Sequence, residues 1–293
     1  MLQKSDKFPP NGVAGVVVLY NPEQDVIENI KSYLDQIDYL YIVDNSENPE
    51  PSVREFSKTK KNIEYIFNKR NLGVATALNM GAGKALESGF KYLLTMDQDS
   101  KAPPNLVELL LNIAKVDENI GIVSPVHSNK YGTHIKNNNN VRKVISVMTS
   151  GNLLSLNVFK KIGDFCDGFF IDYVDIEYCI RLNYKNYKVV QLNNVILEHN
   201  EANISEKNFL SKKFYPTNNA PFRWYYKTRN LLYLRDKYKK IFPGPLKTEY
   251  STYFRNISKI IIFEKQRITK LKMIILGYYD YRKNIFGKYK HTI

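Results

Sequence analysis

The chain has 293 residues, 43% hydrophobic and 25% charged, enough to bury a sizeable core as one large domain or two small ones. It has no run of about 18 apolar residues, and its polar first ten residues lack the apolar centre of a signal peptide, so neither a transmembrane helix nor export is expected. The formal net charge of +14 sits at one end: Lys207 onward carries 21 basic and 4 acidic residues, against 22 and 25 before it. Cys166 and Cys179 make no disulfide framework and no Cys/His cluster has zinc spacing, which points to a cytosolic protein without structural zinc.

In chain order, Val13–Leu19 is a β-branched apolar run of buried-strand type. Tyr20-Asn21-Pro22 ends it, and residues 24–37 have helical spacing. Residues 39–43 form a second strand, closed by Asp44-Asn45-Ser46. Ile63–Phe67 is a third, followed by Asn68-Lys69-Arg70-Asn71-Leu72-Gly73 and a helix of small residues over 75–86. A fourth strand, 92–96, runs into Asp97-Gln98-Asp99-Ser100. Strands alternating with helices imply βαβ units and a mainly parallel sheet. Ligands of such sheets gather beyond the carboxyl ends of the strands. The loops at Tyr20-Asn21, Asp44-Asn45, Arg70 to Gly73 and Asp97 to Asp99 are therefore expected on one rim.

Further along, 103–115 reads as a helix, 121–125 as a strand and 137–140 as an exposed Asn-rich loop. Residues 144–148 and Thr149-Ser150-Gly151-Asn152 lead to an apolar segment at 153–156. Gly168 to Asp175 opens a helix that runs to about residue 183. Two closing strands are expected at 189–191 and 195–197, the second ending at Glu198-His199. Beyond Lys207 basic, aromatic helices are expected.

Asp97 and Asp99 lie two residues apart, so on extended backbone both side chains address the same side. Hard divalent cations prefer such oxygens and complete their shells with water and phosphates; a solvated turn is the plain alternative. Asp175 falls at a helix start, where a carboxylate can cap orphan N–H groups or, in a cleft, accept a proton from an attacking hydroxyl. His199 could be a third metal ligand through a neutral imidazole, or an ordinary hydrogen-bonded histidine. Asp44 and Asn45 suit a contact to a pyrimidine imide or an Asx turn. Arg70, Asn71 and Gly73 could set a cation and backbone donors near a nucleotide, or form only a tight turn.

Asn71-Leu72-Gly73-Val74-Ala75 with Ala77-Leu78-Asn79, then Leu93 to Ser100, Thr149-Ser150-Gly151-Asn152, Phe169 to Cys179 and His199, occur in the order of the family 2 inverting glycosyltransferases. The chain resembles that family over about residues 11–240, and within it the bacterial rhamnosyltransferases of O-antigen and capsule assembly. It departs from the wider family at Val174, where an acid often stands, and at Glu177, where Asp is common. The residues after His199, Asn200-Glu201-Ala202, also lack a glycine often seen there.

The resemblance implies a GT-A fold: α/β, Rossmann-like, with a mixed, mainly parallel sheet flanked by helices and a C-terminal basic helical region. Residues 1–206 would be the nucleotide-sugar-binding and catalytic domain, and 207–293 the acceptor- and membrane-associated part. It implies a divalent metal, Mg²⁺ or Mn²⁺, held by Asp97, Asp99 and His199, with Asp175 as catalytic base. The nucleotide sugar would be held by Tyr20, Asn21, Asp44, Asn45, Arg70, Asn71, Gly73, Asn79, Asp97 and Gln98. The donor favoured is dTDP-β-L-rhamnose, and the acceptor a polyprenyl-diphosphate-linked glycan.

Residues 251–279 interleave aliphatic and aromatic side chains with Lys and Arg, as helices lying on an anionic bilayer do. The expected location is the inner face of the cytoplasmic membrane; a packed subdomain or a homodimer face is the alternative. A nucleic-acid-binding protein would also explain the basic charge but not an acidic rim, so no nucleic-acid partner is expected. A non-catalytic glycan-assembly scaffold, or transfer of galactose or N-acetylglucosamine from UDP, remain the competing readings.

Overall fold

The structure, a computed structural model, describes residues 12–129, 132–133, 140–199, 205–209 and 212–290. The polar N-terminus, most of the Asn-rich loop and residues 200–202 lie outside them. Strands β1 (Val13–Leu19), β2 (Tyr39–Asp44), β3 (Ile63–Phe67) and β4 (Tyr92–Asp97) alternate with helices α1 (Val26–Leu34), α2 (Pro51–Lys58) and α3 (Val74–Glu87). Then follow β5 (Ser100–Lys101), α4 (Leu106–Ala114), β6 (Ile120–Asn129), β7 (Gly132–Thr133), β8 (Val141–Val144), β9 (Asn152–Ser155), α5 (Leu156–Ile162), α6 (Val174–Tyr184) and β10 (Lys188–His199). A hairpin, β11 (Lys207–Phe209) and β12 (Lys212–Phe214), precedes α7 (Pro221–Tyr238), α8 (Pro243–Phe263) and α9 (Arg267–Arg282). The basic third thus begins with strands rather than the expected helix.

The main sheet runs β3-β2-β1-β4-β9-β6-β10-β5. Its first four strands are parallel, as is the β6–β10 pair, while β9 runs antiparallel between β4 and β6. Every residue of β1 is buried, which is why its apolar run is continuous rather than alternating. Two apolar cores cover the two faces. Helix α3 rides so low on β1 that a Cβ at Gly81 would fall 2.4 Å from a Val16 methyl, so glycine there is a packing requirement.

Register delivers the rim. Leu19 pairs with Asp44, Asp44 with Phe67, and Val18 with Asp97, so the loops after β1 to β4 leave the sheet side by side. The two-residue β5 pairs antiparallel with the end of β10, Ser100 opposite His199. The two strands expected at 189–191 and 195–197 are one, β10, with a register shift between Leu192 and Ile196. Helix α7 carries an aromatic cluster against Phe170 and packs on α9. That contact needs Gly277, where a Cβ would meet the Tyr225 carbonyl oxygen at 2.4 Å. Among the described residues no helix is long and apolar enough to cross a membrane.

Candidate active site

Asp97, Asp99 and His199 converge as the sequence expects: one ligand atom from each lies within 4.8 Å of the others. Burial, then the neighbouring Asp99 charge, pushes the Asp97 carboxyl up to about 6. Asp99 is also raised, chiefly by burial, with the His199 ring opposing. Both residues keep partial exposure, so the site opens to solvent although its carboxylates are poorly hydrated. Two carboxylates that repel in poor solvent, beside an imidazole, form a donor set that a divalent cation satisfies.

A chain of hydroxyls fixes this triad. The Asp97 N–H donates to Ser150 Oγ at 3.0 Å, and Ser150 donates to Ser100 Oγ at 2.8 Å. Ser100 Oγ lies 2.8 Å from His199 Nδ1, and either atom can donate. His199 Nδ1 also stands 3.4 Å from Asp99 Oδ1. Behind them, His127 Nε2 lies 2.7 Å from the Ser150 carbonyl oxygen. Burial pushes His127 down to about 4, so at neutral pH the uncharged ring donates there.

Asp175 stands in the first turn of α6. Burial pushes its carboxyl up to about 7; the Ile176 N–H opposes this, and the Asp97 and Asp172 charges add to it. Asp175 lines a small cavity with Thr95 of β4, Thr149 and Asn152, and the Asp97 charge at the end of β4 reaches it there. Poised near neutrality, Asp175 suits general-base work.

Around the rim, Tyr20 and Gln98 hold each other: the Tyr20 N–H donates to Gln98 Oε1 at 2.8 Å and Gln98 Nε2 to the Tyr20 carbonyl at 3.3 Å. The Asn21 N–H donates to Ser46 Oγ. Asp44 is fully buried, with its oxygens accepting from the Ser46 N–H and the Tyr65 hydroxyl. The Asx turn is thus present, and each oxygen retains a lone pair. Asn45 donates to the Gly73 carbonyl at 3.0 Å, and Asn71 Oδ1 accepts the Gly73 N–H at 2.9 Å, while Arg70 is exposed. Asn79 does not join them. Its amide nitrogen donates to the Phe165 carbonyl and Asp167, and its oxygen accepts the Phe165 N–H, so it brackets the approach to α6 instead.

Sequence reasoning missed Arg223. Its guanidinium holds Asp172 through two bonds of 2.6 and 3.1 Å, and its charge opposes, without reversing, the rise at Asp97 and Asp99. Nothing local distinguishes it from the other cations of the C-terminal third.

The model of the family described as glycosyl transferase family 2 matches residues 16–177, from β1 through Asp175. The chain belongs to this family. Within glycosyl transferase family 2 it is 28% identical to the dTDP-rhamnosyl transferase RfbF of Shigella flexneri, over 94% of this chain and 97% of that one. Among solved structures it is similar to S. aureus TarS 1–349 in complex with UDP-GlcNAc, with a TM-score of 0.62 at 14% identity over 94% of this chain and 81% of that one. It is also similar to GalNAc-T7 with UDP, GalNAc and Mn²⁺, with a TM-score of 0.58 at 12% identity, where it spans 57% of the longer chain. These likenesses establish the GT-A fold.

Proposed function

We propose that this glycosyltransferase moves L-rhamnose from dTDP-β-L-rhamnose to a hydroxyl of a lipid-linked glycan in bacterial O-antigen or capsule synthesis, by single displacement with inversion. The observation that carries the chemistry is the place of Asp175 in the first turn of α6, lining a cavity with Thr95 of β4, the strand that ends at Asp97; the donor rests on the likeness to RfbF along most of both chains. The acceptor oxygen forms its bond to the anomeric carbon as the bond to the diphosphate oxygen breaks. The hydroxyl proton passes to Asp175, and the electron pair leaves with the nucleoside diphosphate.

Asp97, Asp99 and His199 would hold a divalent cation, Mg²⁺ or Mn²⁺, which when bound supplies positive charge to the diphosphate. Arg223 adds fixed positive charge from α7, preorganised by Asp172. The rim formed by Tyr20, Asn21, Asp44, Asn45, Arg70, Asn71, Gly73 and Gln98 receives the nucleoside. In this reading residues 1–206 bind donor and perform transfer, and 207–293 face acceptor and membrane.

Exposed stripes on the last two helices support the membrane side. Ile268, Lys272, Ile275 and Tyr279 recur at helical spacing along α9, and Lys247, Ser251, Phe254, Ser258 and Ile261 along α8. Apolar and cationic groups on one face suit the headgroup region of an anionic bilayer, each cation there contributing about 1 kcal/mol. Flotation with anionic but not neutral vesicles is expected; equal indifference to both removes the membrane assignment.

The donor is tested by thermal stabilisation with a panel of nucleotide sugars plus Mg²⁺ or Mn²⁺. dTDP-rhamnose should raise the melting temperature most; a larger shift with a UDP-hexose would reassign the donor.

A further inference from the structure

The segment from Gly168 to Tyr173 leads into α6 and so sets where Asp175 stands. Three of its residues that carry side chains, Phe170, Asp172 and Tyr173, have φ of 65°, 62° and 66°. Such residues hold left-handed backbone only where their surroundings over-determine it. Here α7 does so. The Asn230 side-chain nitrogen lies 3.1, 3.0 and 2.9 Å from the carbonyl oxygens of Phe169, Ile171 and Asp172, its two N–H groups shared among them. Its oxygen accepts from Arg229 Nε at 3.0 Å, which fixes the way the amide faces. Arg229 Nη2 donates to the Gly168 and Phe169 carbonyls at 2.8 and 3.0 Å, and Nη1 to that of Gly287 at 2.8 Å. Both residues are fully buried. The guanidinium sits 5.1–5.3 Å from the ring centroids of Tyr225, Tyr226 and Phe286, so it has little freedom to swing away.

The four carbonyls from Gly168 to Asp172 that meet α7 do so through side chains, not through a strand or helix ladder. The fifth, Phe170, points the other way and accepts the Val74 N–H at 2.7 Å, at the start of α3. The loop is thus pinned between the donor side of the sheet and the C-terminal helices.

We propose that Arg229 and Asn230 are positioning residues for transfer, holding loop 168–173 in the strained conformation that sets Asp175, at the start of α6, against the cavity it shares with Thr95 and Asn152. The proposal rests on Asp175 as the base. It gives the C-terminal third a part in the chemical step besides acceptor and membrane contact. Neither residue touches substrate; both act through backbone carbonyls.

The test is Asn230→Ala in the full chain, beside Asp175→Asn, with transfer kinetics, nucleotide calorimetry and hydrogen exchange of residues 168–176. Exchange in that segment should rise while β1 and β4 stay protected. Transfer kcat should fall on the order of 100-fold, the cost of a base displaced by about an ångström, with donor KM and nucleotide Kd nearly unchanged. Arg229→Lys, which keeps the cation and loses the fork between two carbonyls, is the milder second variant and should lose kcat to a smaller degree. Faster exchange with unchanged kcat overturns the proposal. So does a uniform rise in exchange across the sheet with nucleotide affinity falling in step, which would mark these residues as merely stabilising. Full turnover by Asp175→Asn would instead remove the base assignment, whatever Asn230→Ala does, so the two failures are told apart.

Discussion

Gly73 and Phe170 meet so closely that a Cβ on residue 73 would lie 2.6 Å from the Phe170 carbonyl oxygen. Gly73 also has φ of 89° and precedes the first turn of α3. The loop proposed to hold the donor and the loop leading to Asp175 therefore share one tight contact. Gly73→Ala adds both a clash with backbone and a backbone conformation foreign to alanine, and should cost about 2 kcal/mol. Denaturant unfolding and a transfer assay should both register the change; wild-type stability would mean that the contact yields easily.

Ser150→Ala cuts the chain from the Asp97 N–H to His199. Groups that orient metal ligands typically matter 10–100-fold in affinity, so Mn²⁺ binding, followed by calorimetry, should weaken by about that factor. Unaltered Mn²⁺ affinity would reduce the hydroxyl chain to a fold contact.

Asp99→Ala removes one of the three proposed cation ligands. Nucleoside diphosphate binding should then lose most of its dependence on Mg²⁺ or Mn²⁺ in calorimetry with and without chelator. A variant whose affinity still rises with metal as in wild type would contradict the triad.

How far all this was legible depends on whether the signal was local. The Asp-x-Asp step was, because the apolar run of β4 ends where its carboxylates begin. The placement of His199 beside Asp99 was not, because it depends on Ser100 pairing with a residue 99 positions away. Residues 189–191 and 195–197 read as two strands, yet the chain between Leu192 and Ile196 takes up a register shift and β10 continues. Helix α5 is seven residues long, too short to show a helical period, although Ser155 caps it, its hydroxyl accepting the Val158 N–H. Asn79 sits in a stretch that resembles the family, but its partners lie near residue 165 and no spacing rule shows that. Arg223 and Asn230 were beyond reach for the same reason: their importance lies in carbonyls and carboxylates more than 50 residues away.

Burial and the Asp97 charge push Asp175 up to about 7, against about 3.9 for an unfolded Asp. Between those values the folded state keeps a proton that the unfolded chain has released. The stability this group contributes is therefore complete below about pH 4 and lost as pH rises through about 7. In chelator, the melting temperature should fall on this account from pH 5 to pH 8, and Asp175→Asn should flatten part of that slope. An identical slope in the variant would show that Asp175 ionises normally.

The central claim is that Asp175 takes the acceptor proton at a site whose diphosphate lies by Asp97 and Asp99. Donor calorimetry and single-turnover transfer with Asp175→Asn test it most directly. Donor affinity should be nearly unchanged while the transfer rate falls roughly 10²–10⁴-fold. Transfer at close to the wild-type rate would contradict it.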